Sequence, residues 1–410
     1  MSDGSLWTWG DNSSGQLGDG TIASRCVPAK ICSGATWKVI ATTTGNSFAI
    51  KSDDTLWAWG SNLNKYVGDG TSVLRCSPVE IGFGCSWKDI DTAAPSAAFA
   101  IRSDDTLWAW GNNASSFALG IGSDCSTILV PTQVGASTWK SVYTNGNTSL
   151  GIKYDNTLHF AGTNSSSTFG DGKLSPETIA VQIGSSTWKS VFVSPNSSYG
   201  VRGDNTLWAW GTGANCILGN NCSFNVYVPT QIDPSSWKVT VGYTAGILGI
   251  KSDNTLWAWG VNTSGFYGDG KSSSIGTPIQ IGTSTWLSVG MSGQNHVLAL
   301  RSDNVMFTWG SNTCLLLGNN SFCYHLTPVQ VTSGMTWCQI AAGGGVSAGT
   351  LTSGKLYTWG CTTNPYGILG LGLIGVGLAT VPTLVSGQCY SCFCHVQFLN
   401  GYQNMVGITK

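Results

Sequence analysis

A tryptophan–glycine step recurs along the whole chain at a nearly fixed interval. It stands at Trp9, Trp59, Trp110, Trp210, Trp259, Trp309 and Trp359, and a degraded copy reads Ala161-Gly162 in "TLHFAG". Steps about 50 residues apart fall in the range of propeller blades and related repeat arrays. A second landmark follows each step by about 28 residues, at Trp37, Trp87, Trp139, Trp188, Trp237, Trp286 and Trp337, with Phe393 in the last copy. A third precedes the step by two residues, at Trp7, Trp57, Trp108, Trp208 and Trp257, with His159, Phe307 and Tyr357 elsewhere. These series use all 19 tryptophans, so none is left to mark a special site. An indole buries a large area while its N–H still finds a partner. We therefore read the repeated tryptophans as core residues that fill the space between neighbouring units.

Each unit reads as all-β. "SFAIKSDDTLWAWG" (47–60) is a strand, a polar turn and a second strand. "TLWAWG" alternates with the period of two expected of a strand. The tripeptide "GDG" recurs at 18–20, 68–70, 170–172 and 268–270 and reads as a glycine-dependent tight turn. It lacks the further spaced acids that a calcium loop requires. The connections 112–130, 212–228, 312–327 and 361–381 vary most between units.

Eight units predict one all-β domain over residues 1–410, a closed β-propeller of eight four-stranded blades. The tail "GITK" (407–410) joined to "MSDGSLWTWG" (1–10) matches "FAIKSDDTLWAWG" (48–60). Residues 402–410 are thus expected to pair beside 1–10 and complete that blade. Such pairing removes the sheet edges that invite aggregation.

The wording "LWTWGDNSSGQLGDGT" (6–21), followed by a proline and then by "W-K" and "A-I-K-S-D-D-T", resembles the regulator-of-chromosome-condensation (RCC1-like) propeller repeat. The resemblance runs in register through the chain. It implies seven blades as the alternative count. It also implies binding rather than catalysis, and an intracellular scaffold or guanine-nucleotide exchange factor as one alternative role. A secreted protein inhibitor or adhesin is another.

Net charge is −1, and charged residues make up only 10% of the chain. That excludes a basic nucleic-acid face. No apolar run reaches the ~20 residues of a membrane-spanning helix, and the first residues carry no secretory pattern. Histidine is scarce (His159, His296, His325 and His395), and no P-loop, nucleophile elbow or zinc-protease motif is present. No catalytic residue, cofactor or metal is expected.

The 14 cysteines are the least repetitive feature. Four pairs lie close in sequence and are candidate disulfides: Cys26 with Cys32, Cys76 with Cys85, Cys216 with Cys222, and Cys314 with Cys323. The alternative is small buried thiols. Cys125 has no obvious mate. In "CYSCFCHV" (389–396), Cys389, Cys392, Cys394 and His395 have zinc-ligand atoms, but neighbours 394 and 395 point to opposite faces of a strand. Disulfides with Cys338 or Cys361, or burial, fit better.

Paired cysteines, low charge and Asn/Ser/Thr-rich loops together favour a virion or extracellular setting, as in a phage tail or fibre protein. The expected partners are other virion or assembly proteins, or a host-surface protein or glycan. The cytoplasm is the alternative. Under eukaryotic secretion, Asn12 and Asn164 would be glycan acceptors.

Overall fold

The computed structural model describes residues 4–43, 45–63, 65–93, 97–113, 118–122, 127–144, 148–164, 168–194, 196–242, 246–293, 295–362, 367–372, 377–385, 393–398 and 404–409. Among them the strands pair into eight antiparallel units of four. Unit 2 shows the pattern: Trp37–Thr42, Asn46–Lys51, Leu56–Gly60 and Arg75–Ile81, each paired to the next. Units 3, 4, 5, 6, 7 and 8 open at Trp87, Trp139, Trp188, Trp237, Trp286 and Trp337. Long strands such as Thr127–Thr144 serve as the fourth strand of one unit and the first of the next. Unit 1 combines both ends of the chain, in the order Arg25–Ile31, Leu6–Gly10, Asn404–Thr409, Phe393–Phe398. Leu6 lies opposite Ile408 and Gly10 opposite Asn404.

Second strands such as "NSFAIK" and "AAFAIR" are buried at all but their last residue. They sit in the middle of a sheet covered on both faces by neighbouring units, so they lose the polar–apolar alternation of a half-exposed strand. The first strand of each unit packs against first strands of adjacent units: Trp37–Thr42 meets Trp87–Ala93 and also Phe393–Phe398.

The bond geometry explains why tryptophan and glycine come together. In unit 2, Ala58 faces Val79 but Gly60 faces Arg75, so four residues of the fourth strand span two of the third. This bulge recurs at the same place in every unit. At the bend Gly60 has φ +113°, a conformation that side-chain-bearing residues avoid. Trp59, just before it, is completely buried. Its Nε1 donates to the carbonyl of Gln16 in unit 1, at 2.8 Å. The same bond joins Trp9 to Ile368, Trp110 to Tyr66, Trp210 to Thr168, Trp309 to Phe266 and Trp359 to Leu316. Trp259 departs: Tyr199 Oη donates to the Ile217 carbonyl at 2.8 Å, and the Trp259 N–H has no partner.

The bulge also meets the loop of the preceding unit. Gly20 N donates to Cys76 O at 2.8 Å, and Gly70 to Leu129, Gly122 to Thr178, Gly172 to Tyr227, Asn221 to Gly276, Gly270 to Leu326, Asn320 to Thr380 and Gly372 to Cys26 repeat it. "GDG" is thus more than a turn: its second glycine clasps the next unit. Its first glycine lets the backbone touch the buried indole, since a Cβ on Gly18 would lie 2.6 Å from Trp59 Nε1.

Two expectations change. Cys26, Cys32, Cys76, Cys85, Cys216, Cys222, Cys314 and Cys323 are free thiols. Cys26 and Cys32 lie at opposite ends of the strand Arg25–Ile31, and Cys76 and Cys85 flank Arg75–Ile81 in the same way. Strand rise separates such ends by roughly 15–20 Å, while a disulfide needs Cα atoms within about 7 Å. In these two pairs proximity in sequence misled because an extended strand lies between the thiols; Cys216, Cys222, Cys314 and Cys323 lie in loops. Asn12 and Asn164 are buried at 0% and 1% exposure, so they are framework residues and not glycan acceptors. Asn12 Oδ1 accepts from Leu17 N at 2.9 Å, while its Nδ2 donates to the Thr21 and Ala23 carbonyls at 3.0 and 3.1 Å. Asn62, Asn164 and Asn262 hold their own loops likewise. Cys125, Cys389 and Cys392 lie outside the described residues, while Cys394 and His395 lie on the strand Phe393–Phe398.

Candidate interaction face

The connections alternate between the two ends of the disc-like stack of units. Turns from second to third strand, and links from one unit to the next, lie at one end. Turns from first to second strand and the long loops from third to fourth strand lie at the other.

The first end is regular and charged. Asp53 Oδ1 accepts from Thr55 N at 3.0 Å and from its hydroxyl at 2.6 Å, and the hydroxyl in turn receives Trp57 Nε1 at 2.8 Å. These donors hold the Asp53 carboxyl below the usual aspartate range, the Thr55 hydroxyl contributing most. Asp104, Asp204 and Asp253 repeat the turn. A cation from each second strand stacks on the half-buried tryptophan: Lys51 on Trp57 at 3.6 Å, Arg102 on Trp108 at 3.5 Å, Arg202 on Trp208 at 3.2 Å and Lys251 on Trp257 at 3.4 Å. Lys38 pairs with Asp54 and Lys88 with Asp105. The turns and cation–ring stacks recur from unit to unit, which makes this end a repeated framework, although Arg301 pairs with Asp303 at 2.7 Å and Lys251 also with Asp233 at 3.0 Å.

The opposite end varies. Its long loops begin at the Trp-Gly bulge and run to the fourth strand, so 212–228, 312–327 and the described parts of 112–130 and 361–381 share it. The backbone clasp anchors each loop at its base, and a buried asparagine (Asn12, Asn62, Asn113, Asn164, Asn262 or Asn312) does so as well in six of them, leaving the tip free to differ. The tips expose apolar side chains: Ile22 at 62%, Val73 at 58%, Leu174 at 55%, Phe224 at 78%, Phe322 at 77% and Tyr324 at 59%. Loops 212–225 and 311–324 contain no charged residue. The other end exposes Phe83, Leu287 and Tyr154 singly, whereas the loop tips expose such groups in unit after unit, and this repetition is the mark of a contact surface. Sequence variability pointed to these loops; the topology that gathers them at one end did not show in the sequence.

The sequence-predicted core residues Trp9, Trp37, Trp59, Trp87, Trp110, Trp139, Trp188, Trp210, Trp237, Trp259, Trp286, Trp309, Trp337 and Trp359 are all buried, in the clusters between and within units. His296 is fully buried, with Nδ1 2.6 Å from Ser292 Oγ and Nε2 3.0 Å from Ser347 Oγ across the boundary of units 7 and 8. Burial lowers its pKa to about 3. Among the described residues no group of three potential metal ligands comes together, and no helix is long and apolar enough to cross a membrane.

The family model described as the regulator of chromosome condensation (RCC1) repeat matches residues 3–50 and 303–349. No curated protein matches. Among solved structures, Prp20p from Saccharomyces cerevisiae, characterised for its binding to Gsp1p and histones, superimposes with a TM-score of 0.66 at 16% identity, covering 99% of this chain and 91% of its own. The same yeast protein with Kap60 bound gives 0.65 at 16% identity, over 99% and 89%. Human WBSCR16 gives 0.64 at 17% identity, over 83% and 96%. The repeat in register, the all-β units and these likenesses together make the chain an RCC1-like β-propeller.

Proposed function

We propose that this propeller is a non-catalytic binding module that takes a protein partner on the face made by its third-to-fourth-strand loops. The supporting observation is the asymmetry of the two ends, one a repeated charged framework and the other a set of variable loops tipped by Phe224, Phe322 and Tyr324. Exposed aromatics on rigidly anchored loops supply contact area at little entropic cost. Scarce charge means that complex formation depends little on salt. Structures of yeast Prp20p concern protein partners, Gsp1p, histones and Kap60, and a protein partner is proposed here in the same sense. His159 and His296, at 6% and 0% exposure, have little access to a substrate.

A phage virion role belongs to this reading as its more specific form: the disc docks by its loop face onto a tail or fibre assembly. Its support is compositional, and the free thiols take away the disulfide argument for it. The exchange-factor alternative predicts accelerated nucleotide release from a small GTPase. To test the binding reading, capture from the source particle or cell should be compared for the native chain, a Phe224→Ser/Phe322→Ser variant and a Lys88→Ala variant at the other end. Loss only in the loop variant is expected. Equal capture by all three, or GTPase exchange activity, overturns the proposal.

A further inference from the structure

Charge at the regular end is not shared evenly among the units. The residue after the first-strand tryptophan is lysine in five consecutive units: Lys38, Lys88, Lys140, Lys189 and Lys238. In units 7 and 8 it is Leu287 and Cys338. Each lysine reaches one residue of the turn between its own second and third strands. In units 2 and 3 that residue is an aspartate: Lys38 Nζ donates to Asp54 Oδ1, and Lys88 Nζ to Asp105 Oδ1. In units 4, 5 and 6 it is an asparagine. Lys140 Nζ donates to Asn156 Oδ1 at 3.4 Å, Lys189 to Asn205 and Lys238 to Asn254.

The backbone does not dictate this difference. Asp54, Asp105, Asn156, Asn205 and Asn254 are all left-handed, with φ between 64° and 71°. Aspartate and asparagine both tolerate that conformation. Turn, donor and acceptor atom are the same in all five units, and only the charge of the acceptor changes. An amide holds the lysine in place as a carboxylate does, but it leaves the ammonium its full positive charge. Lys140, Lys189 and Lys238 are exposed. They are therefore three oriented cations, in three adjacent units, without the carboxylate that their counterparts have.

The other charges at this end of units 4, 5 and 6 do not cancel them. Asp155, Asp204 and Asp253 each accept the hydroxyl of the turn threonine, Thr157, Thr206 or Thr255, at 2.6–2.7 Å. Each stands two residues from Lys153, Arg202 or Lys251, whose charge it balances. Asp233 pairs with Lys251 at 3.0 Å. Six cations thus face four carboxylates across these three units. In the same positions of units 2 and 3, Lys38, Lys51, Lys88 and Arg102 meet Asp53, Asp54, Asp104 and Asp105, and the balance is even.

We infer that the arc of Lys140, Lys189 and Lys238 is a docking surface for an extended acidic segment of a partner protein, whose carboxylates lie across units 4, 5 and 6. Units 2 and 3 show that an ammonium in this position takes a carboxylate. An ammonium has three N–H donors, and the asparagine uses one, so two remain on each lysine for the segment. The first strands of adjacent units pack side by side, which sets the three cations in a row that an extended chain can follow. This surface is at the end away from the long loops, so it stands independently of the loop-face reading. Salt separates the two contacts: the loop contact is insensitive to it, while exposed ion pairs are screened.

The test titrates the full chain into a labelled decaglutamate peptide, and into an oligothymidylate of equal charge, and follows fluorescence anisotropy. Saturable binding of the peptide is expected, tighter than that of the oligothymidylate and weaker at physiological than at low salt. The combined variant Asn156→Asp/Asn205→Asp/Asn254→Asp keeps every lysine and supplies each with the carboxylate of units 2 and 3. It should lower peptide affinity roughly tenfold, since one exposed ion pair is worth about 1.5-fold to fivefold. Asp54→Asn/Asp105→Asn releases Lys38 and Lys88 and should raise affinity by about twofold to tenfold. Thermal melts check that both variants fold, and Lys140→Gln/Lys189→Gln decides the matter if the first does not. Absence of saturable binding, native affinity in the folded Asp or Gln variants, or tighter binding of the oligothymidylate overturns the inference.

Discussion

The indole N–H of Trp59 donates to the carbonyl of Gln16, 43 residues earlier and in the neighbouring unit, at 2.8 Å. The bond makes a buried tryptophan both a space-filler and a fastener. Trp59→Ala is expected to cost about 3–5 kcal/mol, the range for emptying a large aromatic site. Trp59→Phe keeps most of the ring and removes the bond. Trp259→Phe removes an N–H that has no partner. Denaturant melts should therefore show Trp59→Phe to be the costlier change by about 1 kcal/mol. Equal losses would mean that the fastener contributes nothing.

Deleting residues 404–410 removes the strand that pairs with Leu6–Gly10. The shortened chain is expected to aggregate or to melt far below the intact one, because a full strand edge is exposed. Size-exclusion chromatography and thermal melting decide this. A stable, monodisperse truncated chain would contradict a ring sealed by its two ends, and particle images should show eight blades.

Thiol labelling of the native, unreduced protein should modify Cys32, Cys222 and Cys323 quickly, since all three are exposed. Cys26, Cys76 and Cys85, which are half-buried, should follow more slowly. Recovery of a Cys26–Cys32 or Cys76–Cys85 disulfide peptide would require the intervening strand to be wrong.

His296 gives stability a pH dependence of known sign. Its folded pKa, lowered by burial to about 3, lies below the ordinary value of 6.5. The unfolded chain therefore binds the extra proton first. The contribution is complete above pH 6.5 and is lost as pH falls toward 3. His296→Gln should be less stable than the native chain at pH 7.5, and the difference should shrink by pH 5. A constant difference across that range would show that His296 does not stay neutral in the fold.

Asp91 acts in the opposite direction. Burial in the first strand of unit 3, with Asp89 nearby, raises its pKa to about 7, although the backbone N–H groups of Thr92 and Thr144 partly offset the rise. The folded chain keeps a proton that the unfolded chain sheds near pH 4. Stability from this group thus falls as pH rises from 4 to 7. Asp91→Asn should raise Tm at pH 8 and change it little at pH 4, as scanning calorimetry can show.

Much of the fold could be read from period alone. Trp37, Trp59 and their copies marked strands and core because the same words return at one spacing, and "GITK" matched "FAIK" closely enough to pair the chain ends. Local pattern does not say what crosses a boundary. Gly20 reads as a turn residue, yet its N–H reaches Cys76 in the next unit, 56 positions along the chain. Asn12 matches a surface modification motif, yet a loop folds around its side chain. The pairs Cys26–Cys32 and Cys76–Cys85 failed for a related reason: separation along the chain was taken for separation in space, and each pair is held apart by an extended strand. The interaction face was half legible. Variation singled out the loops, and only the strand order placed Phe224 and Phe322 at one end.

The pairing of Leu6–Gly10 with Asn404–Thr409 sets a timetable for synthesis. Leu6–Gly10 leaves the ribosome long before Asn404–Thr409, the strand it pairs with. Throughout translation, the earliest strand presents an unsatisfied backbone edge, and each later unit stacks on a body that is still open. Folding of the intervening units can proceed vectorially through local hairpins, but this pairing waits for Asn404–Thr409. A nascent chain stalled before Asn404–Thr409 would therefore be a sticky intermediate rather than a smaller working version, and the emergence of that strand is the step that covers the exposed edge.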